Sequence, residues 1–515
     1  MKVAIRTDAS IQIGTGHVMR CLTLADELRH RDVEVVFVCR EHKGNLCDLI
    51  SGKGLAVVRL PVRPTRERND EPWSGGGGTA PFHAGWLGAD WRTDADETLA
   101  VLFGSEAVDW LVVDHYALDD QWESSMRSVA HRLMVIDDLA DRPHACDLLL
   151  DQNLFTDLQG RYEGRVPQSC RTLLGPKYAL LRPEFAEQRE RLRDRTGDVH
   201  RILIAFGGVD TTNETLKAIQ SVDALGRTDI EVDVVIGAGN PHREELTRQL
   251  AGRPRFHLHV QTDQMAELMA KADVAIGAGG VATWERCAVG LPAIAWAIAD
   301  NQQPVLEAVA ETGAVLMPDQ TGGGTRQFIE QHVFSLLNSR HLRAVMSRAG
   351  LSICDGRGAQ RVAQVMIAPE ITLRSALASD CEAVYEWRNH PSVRRVSLSP
   401  EPIGSESHRA WFNRTLSDSS QALLIAESAG VAVGVLRFDL LESEAEVSVF
   451  LAPRESGRGL GQAILAAGEH WLRRHHPEVG HLQATVLDAN RPSKALFEKA
   501  GFSAHHLVYT KVLHV

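Results

Sequence analysis

At 515 residues the chain exceeds what one ordinary hydrophobic core supports, so two to four domains are expected. Hydrophobic residues at 44% and charged residues at 24% exclude a disordered or collagen-like chain and fit a globular one. A formal net charge of -12 offers no general field to a phosphate backbone, which argues against nucleic acid as a partner but leaves room for a small phosphorylated ligand.

The first half alternates short apolar runs with longer amphipathic ones. Val3-Ala4-Ile5 and residues 33–38, 110–113 and 133–136 are expected strands, the pattern of a parallel sheet with crossover helices. Val18, Cys21, Leu22, Ala25 and Leu28 advance in steps of three and four, which puts one apolar helical face on that sheet. Between residues 61 and 91 the pattern breaks into Pro, Arg, Trp and the run Gly75-Gly76-Gly77-Gly78, an inserted, mobile loop. A tolerated insertion is favoured over a lid, because loops lengthen at small entropic cost.

After a helical stretch at 184–194, Ile202-Leu203-Ile204-Ala205-Phe206 runs into Gly207-Gly208 and opens a second α/β domain. It continues through residues 232–236 and Val274-Ala275-Ile276 and closes with helices near Met366. A third unit begins at Ile371-Thr372-Leu373-Arg374, where strand pairs at 422–427 and 431–438 around Ala429-Gly430 replace the alternation. The expected domains are 1–190, 195–366 and 370–515.

Eight scattered cysteines include no Cys-x-x-Cys pair and read as reduced thiols. His470, His475 and His476 lack an i, i+4 pair of imidazoles, so no metal is expected. The opening Val3-Ala4-Ile5 is strand-like, and no run is long enough to span a bilayer, so a cytoplasmic protein without membrane contact is expected. The oligomeric state is left open.

In a doubly wound sheet, ligands bind beyond the carboxyl ends of the strands. Gly14-Thr15-Gly16-His17 falls at such an end: Gly14 and Gly16 let backbone approach a ligand, the following helix offers free amides, and imidazole moves protons near neutral pH. A histidine at a helix start is more often a cap or a solvent-facing residue. The context narrows the choice. Arg6-Thr7-Asp8-Ala9-Ser10 and Ile13-Gly14-Thr15-Gly16-His17-Val18-Met19-Arg20-Cys21-Leu22 resemble the signature of the UDP-sugar hydrolases of pseudaminic acid biosynthesis. So do Val112-Val113-Asp114-His115-Tyr116, Gly277-Ala278-Gly279-Gly280 with Glu285, and Asp300-Asn301-Gln302, and the resemblance spans about residues 1–365.

That resemblance implies an α/β fold with a glycosyltransferase-B-like pair of Rossmann-like domains and a nucleotide sugar between them. It implies catalysis by His17 as base or water positioner, with Tyr116 facing the sugar. Substrate contacts are implied at Gly14, Gly16, Gly279, Gly280, Glu285, Asn301 and Gln302, and the residue reading adds Gly208 as a phosphate contact. The residues themselves agree in part, since a strand, a glycine turn and a helix bearing Thr283, Glu285 and Arg286 place amides on a diphosphate and a carboxylate on ribose hydroxyls. Glu285 also reads as a surface charge, and Gly207-Gly208 as a tight turn. The adjacent carboxylates Asp137 and Asp138 diverge on a strand end and read as structural.

The run 446–451 leads into Ala452-Pro453-Arg454-Glu455-Ser456-Gly457-Arg458-Gly459-Leu460-Gly461, an anion cradle at a helix start. With Ala484-Thr485-Val486, Asn490, Ser493 and Leu496-Phe497-Glu498-Lys499-Ala500-Gly501-Phe502, it resembles the GNAT acetyltransferases, an α+β fold, over about residues 370–513. The resemblance implies acetyl-CoA as co-substrate, held at Gly457, Arg458, Gly459, Gly461 and Asn490. Glu446, placed at a strand end, is the expected base for the amine, with a surface charge as its plain alternative. Phe497 replaces the tyrosine that many members use as acid, with Tyr509 a substitute. Trp387-Arg388-Asn389 resembles acetyltransferases acting on UDP-4-amino sugars, or is a helix end whose Trp packs in the core. A UDP-amino sugar is therefore the expected partner; the alternatives are a glycosyltransferase of the same fold and a non-catalytic nucleotide-sugar-binding module.

Overall fold

The computed structural model describes all residues except 64–80, 104–106, 194, 196, 209, 319–324, 369–370, 398, 429, 454, 456–458 and 505–515. The run Gly75-Gly76-Gly77-Gly78 of the expected insertion thus lies outside the described residues. The chain forms two compact units, Met1–Met366 and Ile367–Val515.

The first unit contains two sheets. The first comprises β1 (Lys2–Thr7), β2 (Glu34–Arg40), β3 (Ala56–Leu60), β4 (Val108–Asp114), β5 (Ala130–Ile136), β6 (Leu148–Asp151) and β7 (Arg171–Leu174). Its order is β3-β2-β1-β4-β5-β6-β7, all parallel. Its central strands are buried on both faces, as crossover helices require. Val18, Cys21, Leu22, Ala25 and Leu28 of the helix Gly16–Arg29 are all buried, in keeping with their spacing. β3, β6 and β7 have no counterpart among the expected strands.

The second sheet comprises β8 (Arg201–Ala205), β9 (Glu231–Ile236), β10 (Phe256–Val260), β11 (Val274–Ala278), β12 (Ala293–Trp296) and β13 (Val315–Leu316), in the parallel order β10-β9-β8-β11-β12-β13. Phe185 of the helix Pro183–Glu190 joins this sheet's core beside Trp284 and Ala288. The helix Gly358–Ile367 then returns to the first sheet, where Trp110 Nε1 donates to the Met366 carbonyl at 3.0 Å.

Each sheet reverses its winding once, between β1 and β4 in the first and between β8 and β11 in the second. Loops leaving two such strands part to opposite sides and leave a crevice at their carboxyl ends. The loops carrying His17 and Tyr116 follow β1 and β4. Those carrying Gly208 and Gly279-Gly280 follow β8 and β11.

The second unit holds β14 (Thr372–Ser375), β15 (Gln421–Ser428), β16 (Val431–Leu441), β17 (Glu444–Leu451) and β18 (His481–Gln483) in sequential order. The first four are antiparallel, and β18 runs parallel to β17. Leu424, Leu436, Phe438 and Val447 pack with Ile464 and Leu465 of the helix Leu460–His475. The alternate residues Leu423, Ile425 and Val435 pack with Val384 and Phe412 on the other face. Among the described residues, no helix is long and apolar enough to cross a membrane.

Candidate functional site

The loop after β1 is closed by its own polar groups. Ser10 Oγ accepts from the Gln12 and Ile13 amides at 3.1 and 2.8 Å, and the Gly14 amide donates to the Ser10 carbonyl at 2.9 Å. Gly14 has φ +81°, a conformation that favours glycine, and a Cβ at Gly14 or Gly16 would meet nothing within 4 Å. Both glycines therefore border open space beside His17.

His17 Nδ1 lies 2.6 Å from Asp114 Oδ1. Arg20 grips the same carboxylate through Nε at 2.7 Å and Nη2 at 2.6 Å. Burial alone would raise the Asp114 carboxyl, but the Arg20 guanidinium and the His17 imidazole outweigh it and hold the group far below the usual carboxylate range. An ionised carboxylate only accepts, so Nδ1 carries a proton toward Asp114, and in the neutral imidazole Nε2 then keeps the lone pair. That is the arrangement of an oriented general base.

Tyr116 stands edge-on to His17 with ring centroids 4.5 Å apart, and its hydroxyl donates to Asp138. Burial and the Asp138 charge push the phenol well above its ordinary range, so it stays protonated. Asp138 also accepts from Arg20 Nη1 at 3.0 Å and Asn153 Nδ2 at 3.3 Å. Asn153 Oδ1 in turn accepts from Trp284 Nε1 of the second sheet's helix Ala282–Ala288 at 3.1 Å. Asp137 and Asp138 do diverge, and Asp138 turns toward Tyr116, Arg20 and Asn153. Asp137 faces Arg142 Nη1 at 2.9 Å and the Tyr162 hydroxyl at 3.0 Å. Burial and the Asp138 charge raise the neighbouring Asp151 carboxyl to about 7.

His115 points the other way, its Nε2 3.4 Å from Asp8 Oδ2, because successive side chains at a strand end alternate. Asp8 is paired with Arg6 at 2.7 Å, so the Arg6-Thr7-Asp8 signature braces the strand ends from below. Asp114, Arg20 and Asp138 surround His17 and Tyr116, although the sequence reading gave the first two no role and took Asp138 as structural. A signal existed for Arg20, which lies three residues after His17 and so on the same helical face.

In the second sheet, Gly277 is forced by close packing, since a Cβ there would collide with the Ala205 carbonyl oxygen. Gly237 plays the same part against the Gly208 backbone. Gly279 and Gly280 face the Gln302 side chain, which a Cβ at either position would meet at 3.5 and 3.6 Å respectively. Gln302 Oε1 accepts from the Ile298 amide at 3.0 Å, while Asn301 is exposed. Arg286 Nη2 donates to the Ala278 carbonyl at 2.8 Å and Thr283 Oγ1 at 3.0 Å, bracing the glycine turn. Burial raises the half-buried Glu285 carboxyl, opposed by Arg182 and Arg286.

In the second unit Glu446 is the third residue of β17, not at the strand's end. It is the last residue of β17 paired to β18, opposite Gln483, and its carboxylate accepts from Thr485 Oγ1 at 2.7 Å. Gly459 caps the helix Leu460–His475 with φ +74°, and a Cβ at Gly461 would press on Leu496 at 3.2 Å. Gly457, Arg458 and Tyr509 lie outside the described residues. Asn490 caps the helix Arg491–Lys499, accepting from the Ser493 amide at 3.1 Å, and donates to the Val396 carbonyl at 2.9 Å. Phe497 is buried edge-on to Phe502. Trp387 packs against the core while Asn389 holds both the Ile403 amide and its carbonyl. Among the described residues, no three His, Cys, Asp or Glu side chains group as metal ligands.

Residues 370–503 match the acetyltransferase (GNAT) domain, and residues 202–321 match the C-terminal domain of glycosyltransferase family 28. An uncharacterized protein of Methanocaldococcus jannaschii is 22% identical over 517 residues, covering 98% of this chain and 96% of its own. The UDP-2,4-diacetamido-2,4,6-trideoxy-beta-L-altropyranose hydrolase of Campylobacter jejuni is 28% identical over 271 residues, 52% of this chain and 81% of that protein. The Bacillus subtilis protein YwnH is 31% identical over 143 residues, 26% of this chain and 84% of its own.

Proposed function

From a C-terminal GNAT acetyltransferase domain behind a glycosyltransferase-B-like Rossmann pair homologous to a UDP-sugar hydrolase, we propose a bifunctional enzyme of pseudaminic acid biosynthesis. One site N-acetylates a UDP-4-amino sugar with acetyl-CoA. The other hydrolyses the resulting UDP-2,4-diacetamido-2,4,6-trideoxy-L-altrose to UDP and free sugar.

In the hydrolytic step His17 Nε2 takes a proton from water as the water oxygen attacks the anomeric carbon. The bond from that carbon to the UDP oxygen breaks, and its electron pair leaves with UDP. Asp114 stabilises the imidazolium that forms, and Tyr116, braced by Asp138, orients water or sugar. Gly14 and Gly16 admit the ligand. Amides at Gly208, Gly279 and Gly280 disperse the diphosphate charge, Glu285 takes the ribose hydroxyls, and Asn301 and Gln302 hold polar groups.

In acetyl transfer the amine attacks the thioester carbon, its proton passes to Glu446, and the carbon–sulfur bond breaks to release CoA thiolate. Gly457, Arg458, Gly459 and Gly461 hold the CoA pyrophosphate, and Asn490 contributes to the pantetheine site. The reading includes no metal, so a chelator is expected to leave both activities unchanged.

The observation that carries this reading is the His17–Asp114 pair, facing Tyr116 where the first sheet reverses. Mass spectrometry of products from the UDP-4-amino sugar, with and without acetyl-CoA, tests it: acetylated and UDP-free sugar is expected only with acetyl-CoA present. The family 28 match favours a second reading, transfer to an acceptor hydroxyl. UDP and free sugar released in equal amounts without any acceptor would exclude transfer; UDP release that requires an acceptor would establish it.

A further inference from the structure

We infer that the aromatic residues Phe82, His83 and Trp86 form the specificity surface of the hydrolytic site, taking the methyl-bearing groups of a deoxy amino sugar; the inference rests on the UDP-sugar reading above. The segment reaches the site through a single 3-10 turn, Ala84–Leu87. Buried Leu87 anchors that turn in the core of the first sheet, with Leu111 and Ala117 in the same cluster. The turn sets the His83 and Trp86 rings 4.1 Å apart and lays them on Tyr116 at 5.4 and 6.0 Å. Phe82 extends the row, edge-on to His83 at 4.9 Å. A continuous line of rings thus runs outward from the His17 imidazole.

This surface is apolar and accessible at its outer end, since Phe82 is 89% exposed and Trp86 is half-buried. Burial lowers the His83 pKa, which favours its uncharged ring. A contiguous apolar patch beside a reactive group marks a ligand surface more often than isolated exposed residues do. Pockets lined by aromatic rings with a few fixed polar groups are the usual form of a small-molecule site. A hexose with one acetamido group offers such rings the C–H face of its pyranose and a single methyl group. A sugar with two acetamido groups and a 6-deoxy carbon offers three methyl groups, each able to cover ring surface.

The test uses the full chain with His17→Asn, so that bound substrate persists, and isothermal titration with UDP, UDP-N-acetylglucosamine and the UDP-2,4-diacetamido-2,4,6-trideoxy sugar. The diacetamido sugar is expected to bind more tightly than UDP-N-acetylglucosamine. Adding Phe82→Ser or Trp86→Ala is expected to cut that preference by roughly tenfold while leaving UDP affinity unchanged. If Trp86→Ala also loses UDP, the fold is disturbed, and exposed Phe82→Ser carries the decision. An unchanged preference in Phe82→Ser, or no preference before either change, overturns the inference. UDP release by the wild-type chain decides the hydrolase reading separately, so the two fail independently.

Discussion

As a single residue, His17 is ordinary until Asp114 and Arg20 are placed around it. Asp114 receives both, and its ionised state selects the imidazole tautomer that can take a proton. Asp114→Asn keeps the shape but donates where it should accept, and the wrong tautomer follows. UDP release is expected to fall by roughly 10²–10⁴ in kcat with KM little changed, whereas His17→Asn abolishes turnover and keeps UDP binding. Steady-state kinetics and titration with UDP check both. Glu446→Gln removes a carboxylate that lies in the other unit, so acetyl transfer should drop by about 10²-fold while UDP release from the acetylated sugar stays unchanged. Loss of both activities would contradict separate sites.

Among the elements, the glycines of β11 and the turn after it divide into packing and binding positions. Gly277→Ala places a methyl against the Ala205 backbone of the neighbouring strand, and about 1–3 kcal/mol of destabilisation is expected from a urea midpoint. Gly280→Ala has space and should keep that midpoint while weakening UDP-sugar binding. His144, between the ends of β5 and β6, is 2.7 Å from Glu123 and 3.8 Å from Asp137. Although burial lowers its pKa, the two carboxylates outweigh it and raise the imidazole to about 9. The folded value lies above the unfolded one, so this contribution is complete below roughly pH 6.5 and is lost as pH rises through about 9. Unfolding midpoints measured from about pH 6 to 9.5 should fall across that window. His144→Gln should flatten the fall.

In the molecule as a whole, one chain joins a GNAT domain to a Rossmann pair, and the Methanocaldococcus jannaschii relative aligns over nearly all of it. Under the proposed function, two chemistries on one nucleotide sugar predict an order. With the UDP-4-amino sugar and both sites active, the acetylated UDP-sugar should appear before free diacetamido sugar in a time course followed by mass spectrometry. In His17→Asn the acetylated UDP-sugar should accumulate as the end product. Immediate release of unacetylated free sugar would reverse the proposed sequence.

Local pattern was enough to indicate two parallel α/β sheets followed by an antiparallel unit, because helical and strand periodicities are short-range and the apolar runs at residues 202–206 and 274–276 need no partner to be recognised. It also marked the strand-end glycine loop with His17, while Tyr116 came only from the family resemblance of its contiguous motif. Short β6 and β7, four residues each, carry too little pattern to stand out, and they are strands because neighbouring strands satisfy their backbone. Which strand ends meet came from the sheet order alone: β1 lies beside β4, although about a hundred residues separate them, which brings Asp114 to His17, and β5 lies on the far side of β4, which brings Asp138 to Arg20. Packing around those ends turned Asp114 toward the imidazole and His115 toward Asp8. Alternation along a strand shows that neighbours diverge, and only packing shows which of the two faces the site.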